Sequence, residues 1–134
     1  MGIIQKVKEL NLPNGSYVVV GSGTLAALGI REAQDVDLVI SSEVYKKLRQ
    51  EDWKEKSHDD GSSSLVKNTY EAFLTWDSKD TKSNLLEDLL GDAHVIDGVP
   101  FVNIKRLLEW KKRKGRDKDL TDVELIKDYL KGKP

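Results

Sequence analysis

Apolar runs separated by glycine-rich and polar breaks predict alternating strands and helices along this chain. Two short runs rich in β-branched residues, Tyr17–Val20 and Val36–Ile40, are typical of buried strands. Between them, Gly21-Ser22-Gly23 leads into a short apolar segment, Thr24 to Leu28, which stops at Gly29. This region therefore predicts a strand, a tight turn, a short helix, a loop and a second strand.

The spacing of apolar residues predicts the other elements as well. Helical periodicity covers residues 2–11, a stretch beginning at Ser41 or Ser42, residues 85–90 and residues 104–114. A capping box, Thr121-x-x-Glu124, predicts the start of a last helix. Residues 65–76 read as one strand whose residues alternate between two faces, and Asp97-Gly98 predicts a tight hairpin turn.

Together these elements predict an α/β fold, a small mixed β-sheet of about five strands with flanking helices. The 134 residues suit a single domain, residues 1–134. The net charge of −1 gives no global basic field, and the absence of cysteine excludes disulfides and thiolate zinc sites. The apolar runs are too short to span a membrane, and lysines interrupt the N-terminal run, so we expect a cytoplasmic protein without a membrane partner.

Asp35 and Asp37 stand at the start of the second predicted strand. Residues two apart in a strand project from the same face, so we expect the two carboxylates to lie side by side. Such a pair is repulsive unless a cation lies between them, and Mg²⁺ commonly binds one or two carboxylates together with substrate phosphates. The Gly21-Ser22-Gly23 turn, with its bare N–H groups at a helix start, suits a phosphate. The combination predicts chemistry on a nucleoside triphosphate (NTP).

Each of these features also has a purely structural interpretation. The glycine turn can be a tight connection without a ligand, and the two aspartates can be a loop residue and an exposed strand residue. The stretch His58-Asp59-Asp60 can be a metal site or, as its polar surroundings favour, a mobile turn. The basic run from Lys111 to Arg116 can be a triphosphate clamp, an RNA contact, or simply cations that complement a helix dipole.

The glycine turn and the aspartate pair resemble the DNA polymerase β-like nucleotidyltransferase superfamily. Its pattern of Gly-[Gly/Ser], a short helix and Asp-x-[Asp/Glu] stands here as Gly21-Ser22 and Asp35-Val36-Asp37, with the lead-in Gly29-Ile30-Arg31 seen in many small members. The segment LLEWKKRKGRDKDLTDV, from Leu107 to Val123, is similar to the Lys…Arg-x-Lys-Asp-x-x-Asp tail of abortive-infection-type toxin nucleotidyltransferases. The two matches cover roughly a third of the chain, and their order makes them stronger together than apart.

The resemblance implies roles for individual residues. A third carboxylate on a neighbouring strand would be Glu71 or Asp77, with Glu71 fitting a mid-strand position better. Magnesium or manganese would bind to the three catalytic carboxylates, Asp35, Asp37 and Glu71. The nucleotide would contact the following residues: Gly21, Ser22, Gly23, Lys111, Asp119 and Asp122. Lys111 would also serve catalysis by neutralising charge on the triphosphate.

The predicted activity is metal-dependent transfer of a nucleoside monophosphate from NTP to an acceptor, with release of pyrophosphate. The acceptor is not identified by any residue, and RNA, a protein and a small molecule all remain open. The alternative is a catalytically weak or inactive binding module of the same fold, for example a partner or antitoxin subunit. The small size of the chain favours this alternative, whereas the intact Asp35-Val36-Asp37 motif argues against full loss of activity.

Overall fold

A computed structural model describes residues 2–76 and 85–132 of the chain. The helices in this part are α1 (Ile3–Lys8), α2 (Gly23–Ala27), α3 (Ser42–Gln50), α4 (Leu86–Gly91), α5 (Ile104–Lys114) and α6 (Asp117–Lys131). The strands are β1 (Tyr17–Val20), β2 (Val36–Ile40), β3 (Lys54–Ser57), β4 (Ser63–Lys67), β5 (Tyr70–Phe73), β6 (His94–Ile96) and β7 (Val99–Phe101). None of the helices described is long and apolar enough to cross a membrane.

The strands form one mixed sheet with the order β3-β4-β5-β2-β1-β7-β6. At its centre β1 and β2 are antiparallel, whereas β2 pairs with β5 and β1 with β7 in parallel. The predicted α/β class and mixed sheet are therefore confirmed. The expected number of about five strands is too low, because the structure has seven strands in the part of the chain it describes.

The sheet separates two apolar layers. One layer packs α1 and α3 against side chains such as Leu38, and the other packs α4, α5 and α6 against side chains such as Val39. Successive residues of β2 thus enter opposite layers, as strand geometry requires. Asp37 precedes Leu38 and shares the face of Val39, which is the face covered by α5 and α6.

Several predicted boundaries agree with the structure. Strands β1 and β2 have the predicted limits, and α5 begins after Asn103, whose side chain accepts a hydrogen bond from the backbone of Lys105. Gly115 ends α5 with a φ of +63°, the left-handed conformation that glycine favours. Asp97 and Gly98 form the predicted hairpin turn between β6 and β7, and both have positive φ.

The prediction departs from the structure at three elements. The single strand over residues 65–76 is two antiparallel strands, β4 and β5, because the chain reverses at Asn68, which has a φ of +54°. Strand β3 was not predicted, since its fully exposed sequence Lys-Glu-Lys-Ser has no apolar pattern. Helix α6 begins at Asp117 rather than at Thr121, because the backbone N–H of Arg116 is capped by the Asp119 side chain.

Candidate active site

Three carboxylates meet on the sheet face that α5 and α6 cover. Asp35 directly precedes β2, Asp37 lies within it, and Glu71 is opposite Asp37 in the register of β2 with β5. Gly21, at the end of β1, comes so close that a Cβ atom there would lie 3.2 Å from Oδ2 of Asp37. Its φ of +65° also favours glycine. The fold therefore brings the glycine turn and the carboxylates together.

The charge of Asp37 is poorly compensated in this surrounding. Burial, and then repulsion from Glu71 and Asp35, raise the pKa of Asp37 to about 6, although Lys118 and Lys111 oppose the shift. A carboxylate with such a pKa gains from any cation that approaches it, because the cation favours the ionised form. The site is thus prepared for positive charge that the protein itself does not supply.

A divalent cation fits this arrangement. Asp35 and Asp37 offer hard oxygen donors, and Mg²⁺ typically uses one or two carboxylates while phosphates and water complete its shell. Within residues 2–76 and 85–132, no cluster of three or more His, Cys, Asp or Glu side chains is arranged to hold a metal ion. The aspartate pair is therefore the part of a metal site that the protein would provide, with a phosphate-bearing substrate providing the rest.

Glu71 is held by neighbours of its own. Its Oε2 atom accepts a hydrogen bond of 2.6 Å from the Ser64 hydroxyl and lies 3.8 Å from Nε2 of His58. His58 therefore belongs to the surroundings of Glu71 rather than to a metal site with Asp59 and Asp60. Asp77, the other candidate for a third carboxylate, lies outside the residues that the structure describes.

A cavity of about 350 Å³ opens between this sheet face and helices α5 and α6. Four cations and four carboxylates line it: Arg31, Lys111, Arg116 and Lys118, with Asp35, Asp37, Asp119 and Asp122. A larger cavity of about 410 Å³ lies beside His58 and Phe73, but it contains none of the three converging carboxylates. We regard the smaller cavity as the candidate site, because the chemistry of its walls, not its size, distinguishes it.

Lys111 and the two aspartates of α6 form a buried ion-pair network along one wall. The Nζ atom of Lys111 lies 2.8 Å from Asp122 and 3.5 Å from Asp119. Arg31 donates two hydrogen bonds, of 2.6 and 2.8 Å, to Asp122, and Arg116 donates two to Asp119. Burial would raise the pKa of each aspartate, but the hydrogen bonds and charges of these cations lower both pKa values instead.

This network changes how Asp119 and Asp122 relate to a nucleotide. Their oxygens bind protein cations, so the two residues orient Arg31, Lys111 and Arg116 at the cavity wall. A bound phosphate would therefore meet the cations rather than the aspartates. The tail segment thus supports a wall of the cavity that carries cations.

The residues of the glycine turn occupy different positions. Ser22 lines the cavity, and its hydroxyl accepts a hydrogen bond of 2.8 Å from Arg31. Gly23 is buried, does not line the cavity, and leaves no space for a Cβ atom, which would collide with Val19. Gly21 and Ser22 thus lie at the site, whereas Gly23 allows α2 to pack on β1.

Sequence reasoning missed three residues of the site. Arg31 entered only as part of a lead-in to the aspartates, Lys118 was not singled out, and Trp110 was not considered. Lys118 is exposed, and it forms no ion pair in the part of the chain described. Trp110 lines the cavity and stacks on Trp76 with ring centroids 5.1 Å apart. The three-residue spacing of Asp119 and Asp122 places them on one helix face. This spacing was the available signal for a distant cation such as Arg31, because buried aspartates require cationic partners.

Comparisons with known proteins show the fold and little else. No protein-family model matches the chain, and no curated protein matches it. Among solved structures, the chain is similar to the crystal structure of ANT(2″)-Ia, a nucleotidyltransferase, in complex with adenylyl-2″-tobramycin. The TM-score is 0.54 at 16% sequence identity, over 96% of this chain and 85% of the other. The chain therefore has a nucleotidyltransferase fold.

Proposed function

We propose that this protein transfers a nucleoside monophosphate from NTP to a hydroxyl-bearing acceptor and releases pyrophosphate. The observation that carries the proposal is the cavity in which Asp35, Asp37 and the Gly21-Ser22 turn face a wall of cations. The carboxylates suit a metal ion, and the cations suit a triphosphate. The shared fold with ANT(2″)-Ia supports the same class of reaction.

In the proposed reaction an acceptor oxygen attacks the α-phosphorus of NTP. A new P–O bond forms to the acceptor, and the bond from the α-phosphorus to the bridging oxygen of pyrophosphate breaks. The acceptor hydroxyl loses its proton to a carboxylate, for which we assign Glu71, because it lies directly beside Asp37. Gly21 and Ser22 would contact the β- and γ-phosphates of the nucleotide.

Asp35 and Asp37 would hold magnesium or manganese, whereas Glu71, which the resemblance implies as a third ligand, would act as the base, because no three carboxylates of the described residues are arranged around one ion. When bound, the divalent cation supplies positive charge that offsets the negative charge of the transferring phosphoryl group. The pKa of Asp37, raised to about 6, supports this assignment, because ionisation of Asp37 is unfavourable until a cation is present.

The cations of the cavity divide into two groups by their contacts. Arg31, Lys111 and Arg116 are each paired with an aspartate of α6, so they provide a fixed positive wall. Lys118 is exposed and is close enough to Asp37 to lower its pKa. We assign Lys118 to direct contact with the triphosphate and Lys111 to neutralising its charge from within the wall.

The acceptor is proposed only as a class. ANT(2″)-Ia was crystallised with adenylyl-2″-tobramycin, so a small molecule with free hydroxyl groups is one candidate for this chain. RNA and a protein, including a partner subunit, are the other two. The test must therefore offer all three.

The deciding experiment follows the α-phosphate. Purified protein is incubated with Mg²⁺ and ATP, GTP, CTP or UTP labelled at the α-phosphorus, together with total RNA, a protein lysate or tobramycin. We expect one nucleotide to label one acceptor class, whereas the same nucleotide labelled at the γ-phosphorus leaves no label. Asp37→Asn serves as the inactive control.

Two outcomes would contradict the proposal in different ways. Calorimetric binding of Mg²⁺-NTP without transfer to any acceptor would favour the catalytically inactive binding module. Neither binding nor transfer with any of the four nucleotides would overturn the assignment of the cavity to NTP.

A further inference from the structure

A short hydrogen-bonded chain outside the cavity lining ends on Glu71. Ser64 is fully buried on β4, and its hydroxyl donates to Oε2 of Glu71 at 2.6 Å. Nε2 of His58 lies 2.9 Å from the same hydroxyl oxygen and 3.8 Å from the Glu71 oxygen. Two side chains, one from the β3–β4 loop and one from β4, thus converge on one carboxylate oxygen of β5.

The direction of these hydrogen bonds follows from the protons available. An ionised carboxylate can only accept, so the single hydroxyl proton of Ser64 is used in the bond to Glu71. The hydroxyl oxygen must then accept from His58, which requires a proton on Nε2 of the imidazole. The chain therefore runs from His58 through Ser64 to Glu71 and fixes the protonated nitrogen of the ring.

The loop that carries His58 is itself well held. The backbone N–H of His58 donates to the carbonyl of Ser62 at 2.9 Å, and Gly61 donates back to the carbonyl of His58 at 3.1 Å. The Asp60 carboxylate accepts from the backbone and hydroxyl of Ser62. The His58 ring stacks on Phe73, with ring centroids 6.1 Å apart. Both the loop and the ring contact restrict the position of the imidazole.

We propose that His58 and Ser64 are positioning residues that hold the Glu71 carboxylate in its working orientation beside Asp37. The inference rests on the proposed function, in which Glu71 is the third carboxylate. Because Oε2 is occupied by Ser64, the carboxylate can rotate only by giving up that hydrogen bond, and Oε1 stays free for the reaction. Neighbours that orient a reactive carboxylate commonly affect activity by about 10- to 100-fold when removed.

A matched set of variants separates hydrogen bonding from packing. His58→Phe keeps a ring against Phe73 but removes the donor, whereas His58→Gln keeps an N–H donor near the position of Nε2. Ser64→Ala removes the link. Ser63→Ala is the control, because the Ser63 hydroxyl is on the same strand but bonds to Tyr45. Pyrophosphate release is measured with each Mg²⁺-NTP and with total RNA, a protein lysate or tobramycin as acceptor, alongside ¹⁵N shifts of the His58 ring.

We expect a proton on Nε2 of His58 in the wild-type protein. His58→Phe and Ser64→Ala should lower kcat by about 10-fold or more. They should leave KM for NTP within about twofold, because the cations that line the cavity are unchanged. His58→Gln and Ser63→Ala should keep most of the wild-type rate. Melting temperatures of His58→Phe, His58→Gln and Ser64→Ala close to that of wild type would exclude a general loss of fold.

Three results would overturn the inference: a neutral His58 with its proton on Nδ1, a fully active His58→Phe, or a His58→Gln variant as impaired as His58→Phe. In the last two cases the wild-type protein is active, so the proposed function survives. A wild-type protein that releases no pyrophosphate with any nucleotide overturns the proposed function itself, and with it the working role of Glu71. The two failures are therefore distinguishable.

Discussion

At the scale of single residues, Asp37 is the carboxylate of the site whose ionisation is unfavourable. It is partly buried, faces Glu71 and Asp35, and approaches Gly21. The same charge that is unfavourable in the free protein would be required once a divalent cation and a triphosphate are present. Two predictions concern Asp37 itself, and a third concerns its neighbour Lys118.

The Asp37→Asn variant should lose nucleotidyl transfer but keep its fold. Preorganised charge of this kind is worth about 3–4 kcal/mol, so we expect a rate loss of roughly a hundred- to a thousandfold. Without metal the variant should be at least as stable as wild type, because one repulsive charge is gone. Single-turnover kinetics and thermal melts check both points. A variant that is less stable and equally active would assign Asp37 a structural role.

The stability of the protein should depend on pH through Asp37. Its pKa is raised from 3.8 to about 6, so the folded state binds the proton more tightly than the unfolded state. The stabilisation is present below pH 4 and is lost as the pH rises through about 6. Relative to Asp37→Asn, wild type should lose about 2–3 kcal/mol between pH 4 and 7.

Chemical denaturation of both proteins at several pH values measures that difference. Asp119 and Asp122 have lowered pKa values, so their contribution to the stability of the protein is lost as the pH falls, in the opposite direction to that of Asp37. The comparison with Asp37→Asn separates the two effects. A difference between the two proteins that does not change with pH would show that Asp37 titrates normally.

Lys118 should affect nucleotide affinity without affecting stability. Its side chain is exposed beside the cavity and forms no ion pair in the part of the chain described, so Lys118→Ala removes a solvent-screened charge near Asp37 and no buried contact. We expect Mg²⁺-NTP affinity to fall by about 1 kcal/mol, or roughly fivefold. Lys112→Ala is the matched control, since Lys112 is an exposed lysine that pairs with Glu109 and does not line the cavity. Equal nucleotide affinities of the two variants would show that Lys118 does not contact the triphosphate.

At the scale of elements, helices α5 and α6 owe their arrangement to charges as well as to apolar contacts. Lys111 comes from α5, whereas Asp119 and Asp122 come from α6, and all three are buried. Arg31, in the loop before β2, joins α6 to the glycine turn through Asp122 and Ser22. The network therefore fixes the cationic wall of the cavity relative to the carboxylates of the sheet.

Removing one member of this network should be costly. Asp122→Ala leaves Lys111 buried without its nearest partner, at 2.8 Å, and also frees Arg31. Breaking a buried ion pair from one side typically costs about 3–5 kcal/mol, so we expect a loss of roughly 3 kcal/mol in urea denaturation. Asp52→Ala, which breaks an exposed pair with Lys67, should change little by comparison. Similar effects of the two variants would contradict a structural role for the network.

At the scale of the whole molecule, the site joins distant parts of the chain. The glycine turn and β2, with the loop before it, supply one wall, and the end of α5 with the start of α6 supplies the other. Strand β5 pairs with β2 beside this wall. A ligand that bridges the two walls should stabilise the fold as a unit, because it binds only when both walls are in place.

Binding of Mg²⁺-NTP should therefore raise the melting temperature. A ligand at one hundred times its Kd adds about 2.7 kcal/mol, which is roughly 10 °C for a domain of this size. The shift should appear with Mg²⁺ and nucleotide together and be lost in Asp37→Asn. An unchanged melting temperature with all four nucleotides would speak against NTP as the ligand.

The sequence by itself determined the central part of this protein. The apolar runs of β1 and β2, the intervening glycine turn and the hairpin at Asp97-Gly98 are local patterns, and the structure confirms them. The pairing of Asp35 with Asp37 was also predictable, because the two-residue period of a strand depends on backbone geometry alone. The end of α5 at Gly115 follows from the left-handed φ that glycine tolerates.

Tertiary structure decided everything that depends on partners distant in sequence. Strand β3 has no apolar pattern and exists because it pairs with β4. Asp122 pairs with a cation of the loop before β2 because Arg31, 91 positions earlier in the chain, folds back to meet it. The link from His58 to Glu71 likewise arises only when β4 and β5 pair. Local periodicity reports which face a side chain occupies, but long-range pairing determines which charges meet there.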